Sequence, residues 1–311
     1  MNPKISVIFP VSNEAFLSEG IESVLGQTFA DFEFLIIEDG LKPEVESIFN
    51  KYHDERIIII KLPINMGISS ARNAGLLSAK APYIAVMDCD DIASPNRFAL
   101  QYALMESRPE VTVCGSNFIK IFTDGRTIPI NYPESDGMIK SRLILVDSAI
   151  HNPTVMFRTG FVKQHGLFYD ANFPIVQDYR FYAEIMRSGG SFYGLQEDLL
   201  FYRRHNGNAS NSMLLVEEQK KRVREILLPV FFPDLTGEEI RSLLEGMSDQ
   251  GKMTLAGAYY CLIVIDKALR ENRTLIGEDR AELKRILYLY RDRLVKGLNK
   301  ANAANVLMDN S

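Results

Sequence analysis

The stretch YIAVMDCDD (83–91) closes an apolar run with three acids, Asp88, Asp90 and Asp91, separated only by Cys89. Carboxylates that close repel one another, and a divalent cation removes the conflict. Hard cations take oxygen ligands and share their shell with substrate phosphates. A solvated turn with a helix cap is the plainer alternative for the same residues. Further polar clusters are Ser12-Asn13-Glu14, Glu38-Asp39 and Asn65 through Gly67, with Asp178 in VQDYRFY and His205 in YRRHNGNAS beyond them. Asp178 precedes a helical pattern carrying Phe181, Tyr182 and Ile185, so a helix cap suits it as well as general-base chemistry does. Cys89 is a small spacer with nothing nearby to mark a nucleophile. His151, in IHNPTV, reads as structural or acceptor-side.

The elements that must carry these groups alternate regularly over the first third. ISVIFPV (5–11), FEFLIIED (32–39), IIIIK (57–61) and YIAVMD (83–88) are β-rich runs. Between them, Leu17, Ile21, Val24 and Leu25, then Val45, Ile48, Phe49 and Tyr52, make helical stripes, and a third helix opens near Ser69. Such alternation predicts a parallel sheet covered on both faces. Ser94-Pro95 predicts the start of the next helix. Ligands of open α/β sheets bind outside the carboxyl ends of the strands, and all four early clusters fall at such ends. From about 111 to 213 the alternation weakens, with strand candidates VTVCGS, PTVMFR and FYRRH continuing the same sheet. From about 214 helices dominate: a run at 216–228, a capping box Thr236-Gly-Glu-Glu239, an apolar helix near 254–269 and an amphipathic one at 279–299.

Composition narrows the chemistry. The 311 residues carry a formal net charge of −5, which argues against a nucleic-acid partner. Three widely spaced cysteines, an odd number without a CxxC, signal neither a disulfide framework nor zinc. The opening MNPKISVIFPV lacks the pattern of a signal peptide, and LAGAYYCLIVI (255–265) falls far short of a membrane span. A cytoplasmic address is the expectation. The sequence has no GxGxxG after the first strand and no GxxxxGK[ST], HExxH or GxSxG. What remains is a nucleotide-sized rim of carboxylates with few cations.

The runs KISVIFPVSNEAFLSEGIESVLGQTFADFEFLIIEDG and NMGISSARNAGLLSAKAPYIAVMDCDD resemble the family 2 glycosyltransferases, strongly over the first hundred residues and more weakly to about 213. The resemblance implies the GT-A fold: a Rossmann-like, mostly parallel sheet flanked by helices, here with a C-terminal helical extension. Residues 1–213 would form the glycosyltransferase domain, 1–110 its nucleotide-sugar half and 111–213 its acceptor side, with 214–311 the helical region. It implies inverting, metal-dependent transfer of a hexosyl or N-acetylhexosaminyl group from a nucleoside diphosphate sugar, typically UDP-linked, to an acceptor hydroxyl. Position by position, Pro10, Val11, Ser12 and Glu14 would border base and ribose and Asp39 would accept from the base. Arg72 would flank base and diphosphate. Asp88 and Cys89 would complete the nucleotide-sugar site, with Asp88 on the ribose or a metal-bound water. Asp90 and His205 would hold Mn²⁺ or Mg²⁺, and Asp178 would deprotonate the acceptor. The family's DDGS is here Glu38-Asp39-Gly40-Leu41, and its usual acid pair is Gln177-Asp178.

A glycan or lipid-linked acceptor in surface or exopolysaccharide synthesis is the expected partner. Leu283, Leu287, Tyr290, Leu294 and Leu298 form a stripe with basic residues around it. Such a helix can lie on anionic lipid at the inner face of the membrane; packing on the catalytic domain or across a homodimer is the preferred reading. A catalytically silent nucleotide-sugar-binding or scaffold protein is the alternative of another class, and a metal-dependent nucleotidyltransferase a third.

Overall fold

The computed structural model describes residues 2–11, 16–40, 43–145, 149–205, 213–247, 253–270 and 280–309. Strands β1 (Ile5–Val11), β2 (Phe32–Asp39), β3 (Ile57–Leu62) and β4 (Tyr83–Val86) run parallel in the order β3-β2-β1-β4. Helices α1 (Leu17–Leu25), α2 (Pro43–Phe49) and α3 (Ile68–Ser78) are the crossovers. Every residue of β1 and β2 is buried, because the sheet is covered on both faces and strand side chains alternate between them. Val7, Phe9, Phe34 and Ile36 join the cluster that contains α1, while Ile8, Leu35 and Ile37 join the one that contains α3. β3 is the open edge, and it leaves Ile58 and Ile59 exposed.

Beyond β4 the sheet changes direction. β8 (Met156–Arg158) pairs antiparallel with β4 and with β6 (Val113–Phe122), and β6 runs parallel to the long β9 (Phe192–Arg204). The short β5 (Ile92–Ala93) pairs with β9, and β7 (Thr127–Ile130) with β6. The three middle strand candidates thus extend the first sheet, as the sequence predicts. The helix expected at Ser94-Pro95 starts later, as α4 (Arg97–Ser107), with Asn96 at its N-cap. Ser94 is still committed to the sheet, its amide donating to the Leu199 carbonyl at 3.0 Å. Helices α5 (Asp136–Leu145) and α6 (Thr159–Gln164) escape the sequence reading, whereas α7 (Gln177–Arg187) begins where Gln177-Asp178 predicts.

The C-terminal helices are α8 (Met213–Phe231), α9 (Gly237–Met247), α10 (Leu255–Arg270) and α11 (Ala281–Asp309). The capping box ahead of α9 forms: the Glu239 amide donates to Thr236 Oγ1 at 3.2 Å, and the Thr236 amide to Glu239 Oε2 at 2.7 Å. The stripe of α11 faces inward. Leu283, Leu287 and Leu298 are buried, and Tyr290 and Leu294 pack against the same core as α5 and α7. Arg142 of α5 reaches Glu282 at 3.2 Å. No helix among the described residues is long and apolar enough to cross a membrane.

Candidate active site

A cavity of about 560 Å³ opens at the carboxyl ends of β1, β2 and β4. Pro10 and Val11 enter it from β1, Asp39 from β2, Arg72 from α3, Asp88, Cys89 and Asp90 from the segment after β4, and Asp178 from α7. The structure therefore brings together, at one cavity, groups spread over 169 positions of sequence from Pro10 to Asp178. Ser12, Glu14 and Leu41 lie outside the described residues.

Asp39 is 3% exposed, and its carboxylate is largely engaged by backbone. Oδ1 accepts from the Met66 amide at 2.6 Å and Oδ2 from the Gly67 amide at 2.9 Å, which fixes the loop entering α3. Gly40 makes that approach possible: its φ of +64° suits glycine, and a Cβ there would fall 2.2 Å from the Asn65 nitrogen. Asp39 remains a cavity residue.

The acid cluster divides by role. Asp88 lines the cavity and pairs with Arg72 Nη2 at 2.8 Å. Asp90 lines it as well, and His205 Nε2 lies 2.8 Å from its Oδ2. His205 reaches the site through that contact. Asp91 is fully buried away from the cavity and accepts the Arg203 amide at 2.9 Å, so it ties β9 to the strand end. Burial, and then repulsion from Asp88, raises the pKa of Asp90 against the opposing effect of His205. No group of three His, Cys, Asp or Glu side chains among the described residues is arranged to hold a metal ion. Cys89 is 5% exposed and packs into the apolar cluster beneath, as a spacer would.

Arg72 is 4% exposed. Burial works against its charge, yet Asp88, Tyr169 and Asp178 outweigh it and its pKa is raised. Only Nη2 is hydrogen-bonded; Nε and Nη1 are buried without a partner among the described residues. Charged N–H groups buried without an acceptor are costly, and an anionic oxygen arriving at the cavity would relieve that cost. Asp178 is the second residue of α7, and its Oδ1 accepts the neighbouring Tyr179 amide at 2.8 Å. Val176 holds the N-cap position and no side chain caps the helix, so Asp178 lies on the cavity wall without the capping role. Burial raises its pKa, and Arg72 pulls the other way.

His151, which the sequence reading set aside, also lines the cavity. It stacks on Phe118 with centroids 4.4 Å apart, and burial lowers its pKa to about 4, so it stays neutral at ordinary pH. Sequence reasoning missed Asn152 and Lys220. Asn152 stands in a short 3-10 turn (Asn152–Thr154) and Lys220 in a helix full of lysines and glutamates. Neither carries a local signal, because both come to the cavity only through tertiary packing.

Carboxylates and a buried arginine thus meet at the strand ends of an open α/β sheet, the place where such sheets bind ligands. Residues 6–165 match the model of Glycosyl transferase family 2. An uncharacterized glycosyltransferase of Methanocaldococcus jannaschii is 32% identical over 225 residues, covering 70% of this chain and 76% of that one. One from Haemophilus influenzae is 30% identical, covering 70% of each. Among solved structures, residues 1–349 of S. aureus TarS in complex with UDP-GlcNAc superpose with a TM-score of 0.59 at 18% identity, covering 95% of this chain and 89% of that one. The chain belongs to glycosyltransferase family 2, has the GT-A fold and is a glycosyltransferase.

Proposed function

We propose that the cavity binds a nucleoside diphosphate sugar, with UDP the first nucleotide to test, and that Asp178 activates an acceptor hydroxyl for inverting transfer. The observation that carries this reading is Arg72, whose Nε and Nη1 lie buried and without a partner among the described residues, on the wall that also holds Asp178. A diphosphate supplies the anionic oxygens those groups lack. The UDP-GlcNAc complex of TarS, a protein of the same fold, supports the choice of ligand.

The acceptor O–H gives its proton to the Asp178 carboxylate while its oxygen attacks the anomeric carbon. The bond from that carbon to the diphosphate oxygen breaks, the diphosphate leaves with the electron pair, and Arg72 meets part of its charge. Attack opposite the leaving group inverts the centre without a covalent enzyme intermediate. The donor set after β4 suits a hard cation: Asp90 and Asp88 face one cavity, with His205 on Asp90, and such ions need only one or two carboxylates when phosphates complete the shell. Mn²⁺ or Mg²⁺ held there would act as a Lewis acid on the diphosphate. A glycan or lipid-linked acceptor, in polysaccharide synthesis at the inner face of the membrane, fits an enzyme of this family.

Asp178→Asn tests the assignment. Transfer is expected to fall by at least about 10²-fold, the usual contribution of a general base, with UDP affinity retained in calorimetry. Undiminished turnover would refute the base. Release of pyrophosphate instead of a nucleoside diphosphate would replace the whole reading with nucleotidyl transfer. Binding of nucleotide sugar with no transfer or hydrolysis would favour a silent binding protein.

A further inference from the structure

Asn152 takes no part in the chemistry above, yet its surroundings are unusually specified. It is 2% exposed and lines the cavity. Its Oδ1 accepts two phenolic hydroxyls, Tyr182 at 2.8 Å and Tyr169 at 3.3 Å, both from fully buried rings. Burial raises both phenol pKa values, so each hydroxyl keeps its proton and acts as a donor. Turning the carboxamide over would leave two phenolic protons without an acceptor among the described residues, so the two tyrosines fix its orientation. Nδ2, a donor only, is then buried without a partner among the described residues.

The position is as telling as the orientation. Tyr182 follows Asp178 by four residues on α7, so the two share a helix face. Tyr169 lies under the Arg72 guanidinium, 5.4 Å from ring centroid to carbon. Asn152 is thus hydrogen-bonded to one tyrosine a helical turn along from Asp178 and to another that lies under Arg72, and all three line or adjoin one cavity. In the proposed reaction the transferred sugar must sit in that cavity, within reach of Asp178. Gln177, next to Asp178, is 7% exposed, lines the same cavity, and has a buried Oε1 that accepts from no described residue.

We propose that Asn152 and Gln177 recognise the transferred sugar itself, Nδ2 donating to a substituent oxygen of the ring and Oε1 accepting from a hydroxyl or amide N–H. The inference rests on the nucleotide-sugar reading above. It makes the preferred sugar neutral. Of the described cations on the wall, Arg72 is shared between Asp88 and, in the reading above, the diphosphate, and Lys220 pairs with Glu217 at 3.1 Å, while Asp39, Asp88, Asp90 and Asp178 repel a further carboxylate. A pair of buried groups that need partners discriminates strongly against donors that lack them.

The test compares affinities for UDP, UDP-glucose, UDP-galactose, UDP-N-acetylglucosamine and UDP-glucuronic acid, with Mn²⁺ present, by calorimetry on the full chain. In Asn152→Ala the ratio of sugar-nucleotide Kd to UDP Kd is expected to rise about tenfold for the best neutral donor, the loss of one well-placed hydrogen bond. UDP itself should stay within about twofold. Tyr182→Phe, which removes one of the two orienting hydroxyls, and Gln177→Ala should shift the same ratio, and they carry the test if Asn152→Ala does not fold. A ratio unchanged in all three variants, or UDP and sugar nucleotides weakening in parallel, would reduce these residues to structural groups and overturn the proposal alone. Tighter binding of UDP-glucuronic acid than of every neutral donor would overturn it too. Wild-type protein that binds none of these ligands overturns the nucleotide-sugar reading, and this inference with it.

Discussion

Asp178 holds its proton more firmly than an ordinary carboxyl because burial disfavours the charge, and less firmly than burial alone would dictate because Arg72 is near. The sign of the consequence is direct. A base with a raised pKa is protonated, and idle, at pH values where a solvated aspartate would still work. The acid limb of kcat/KM should therefore lie above the ordinary carboxylate range. Arg72→Gln removes the opposing charge and should move that limb to still higher pH while weakening diphosphate binding. A limb that stays in place would show that the titrating group is another one. The same scale explains what the sequence could reveal. Asp39, Asp88, Asp90 and Asp178 were legible as cavity residues because each sits at a strand or helix end, whereas Arg72, inside α3, came only from the family resemblance. Asn152 was not, since its significance lies in two hydroxyls delivered from positions 169 and 182.

At the scale of elements, α1 and the segment after β4 approach closely enough to constrain each other. A Cβ on Gly20 would stand 2.7 Å from the Cys89 carbonyl oxygen, a backbone atom that moves only if the strand end moves. Gly20→Ala should thus destabilise the fold by about 1–3 kcal/mol, the usual cost of overpacking, and should also loosen Asp88 and Asp90. Denaturant melts measure the first effect and Mn²⁺-dependent nucleotide binding the second. A variant as stable as the parent would show that α1 can retreat. Strands β1 and β2 were readable to the residue, since a sheet buried on both faces selects unbroken apolar runs. Helix α4 was placed two residues early because Ser94-Pro95 is a good local start that the Ser94 amide's bond to Leu199 overrides. Helices α5 and α6 were missed: α5 mixes Lys140, Ser141 and Arg142 into its apolar positions, and α6 is only six residues long.

For the whole molecule, the helical tail and the catalytic sheet share one core. Val223, Leu227, Phe231 and Leu287 belong to the same apolar cluster as Ile8, Val86 and Phe181. Unfolding is accordingly expected to be a single cooperative transition, and nucleotide with Mn²⁺ should raise its midpoint by binding only the folded form. Two separated calorimetric transitions, with the ligand shifting only one, would mean that the tail melts independently. The sequence foretold the helices of the tail from their stripes and caps. Their docking partner was left open, because an apolar stripe says that a face is covered and not by what.

Gln219 of α8 turns this sharing toward the site. It is 3% exposed, and its Oε1 accepts the amides of Ile175 and Val176 at 3.1 and 3.4 Å, the two residues that lead into α7. A side chain from the last third of the protein thus ties down the N-terminal turn on which Asp178 rides. Anyone trimming this enzyme to a minimal catalytic fragment after residue 213 would discard that anchor along with Lys220. Exchanging tails between relatives to change acceptor choice would carry the same hidden dependence: the incoming helix must bring its own amide-binding group, or Asp178, the proposed base, loses its footing.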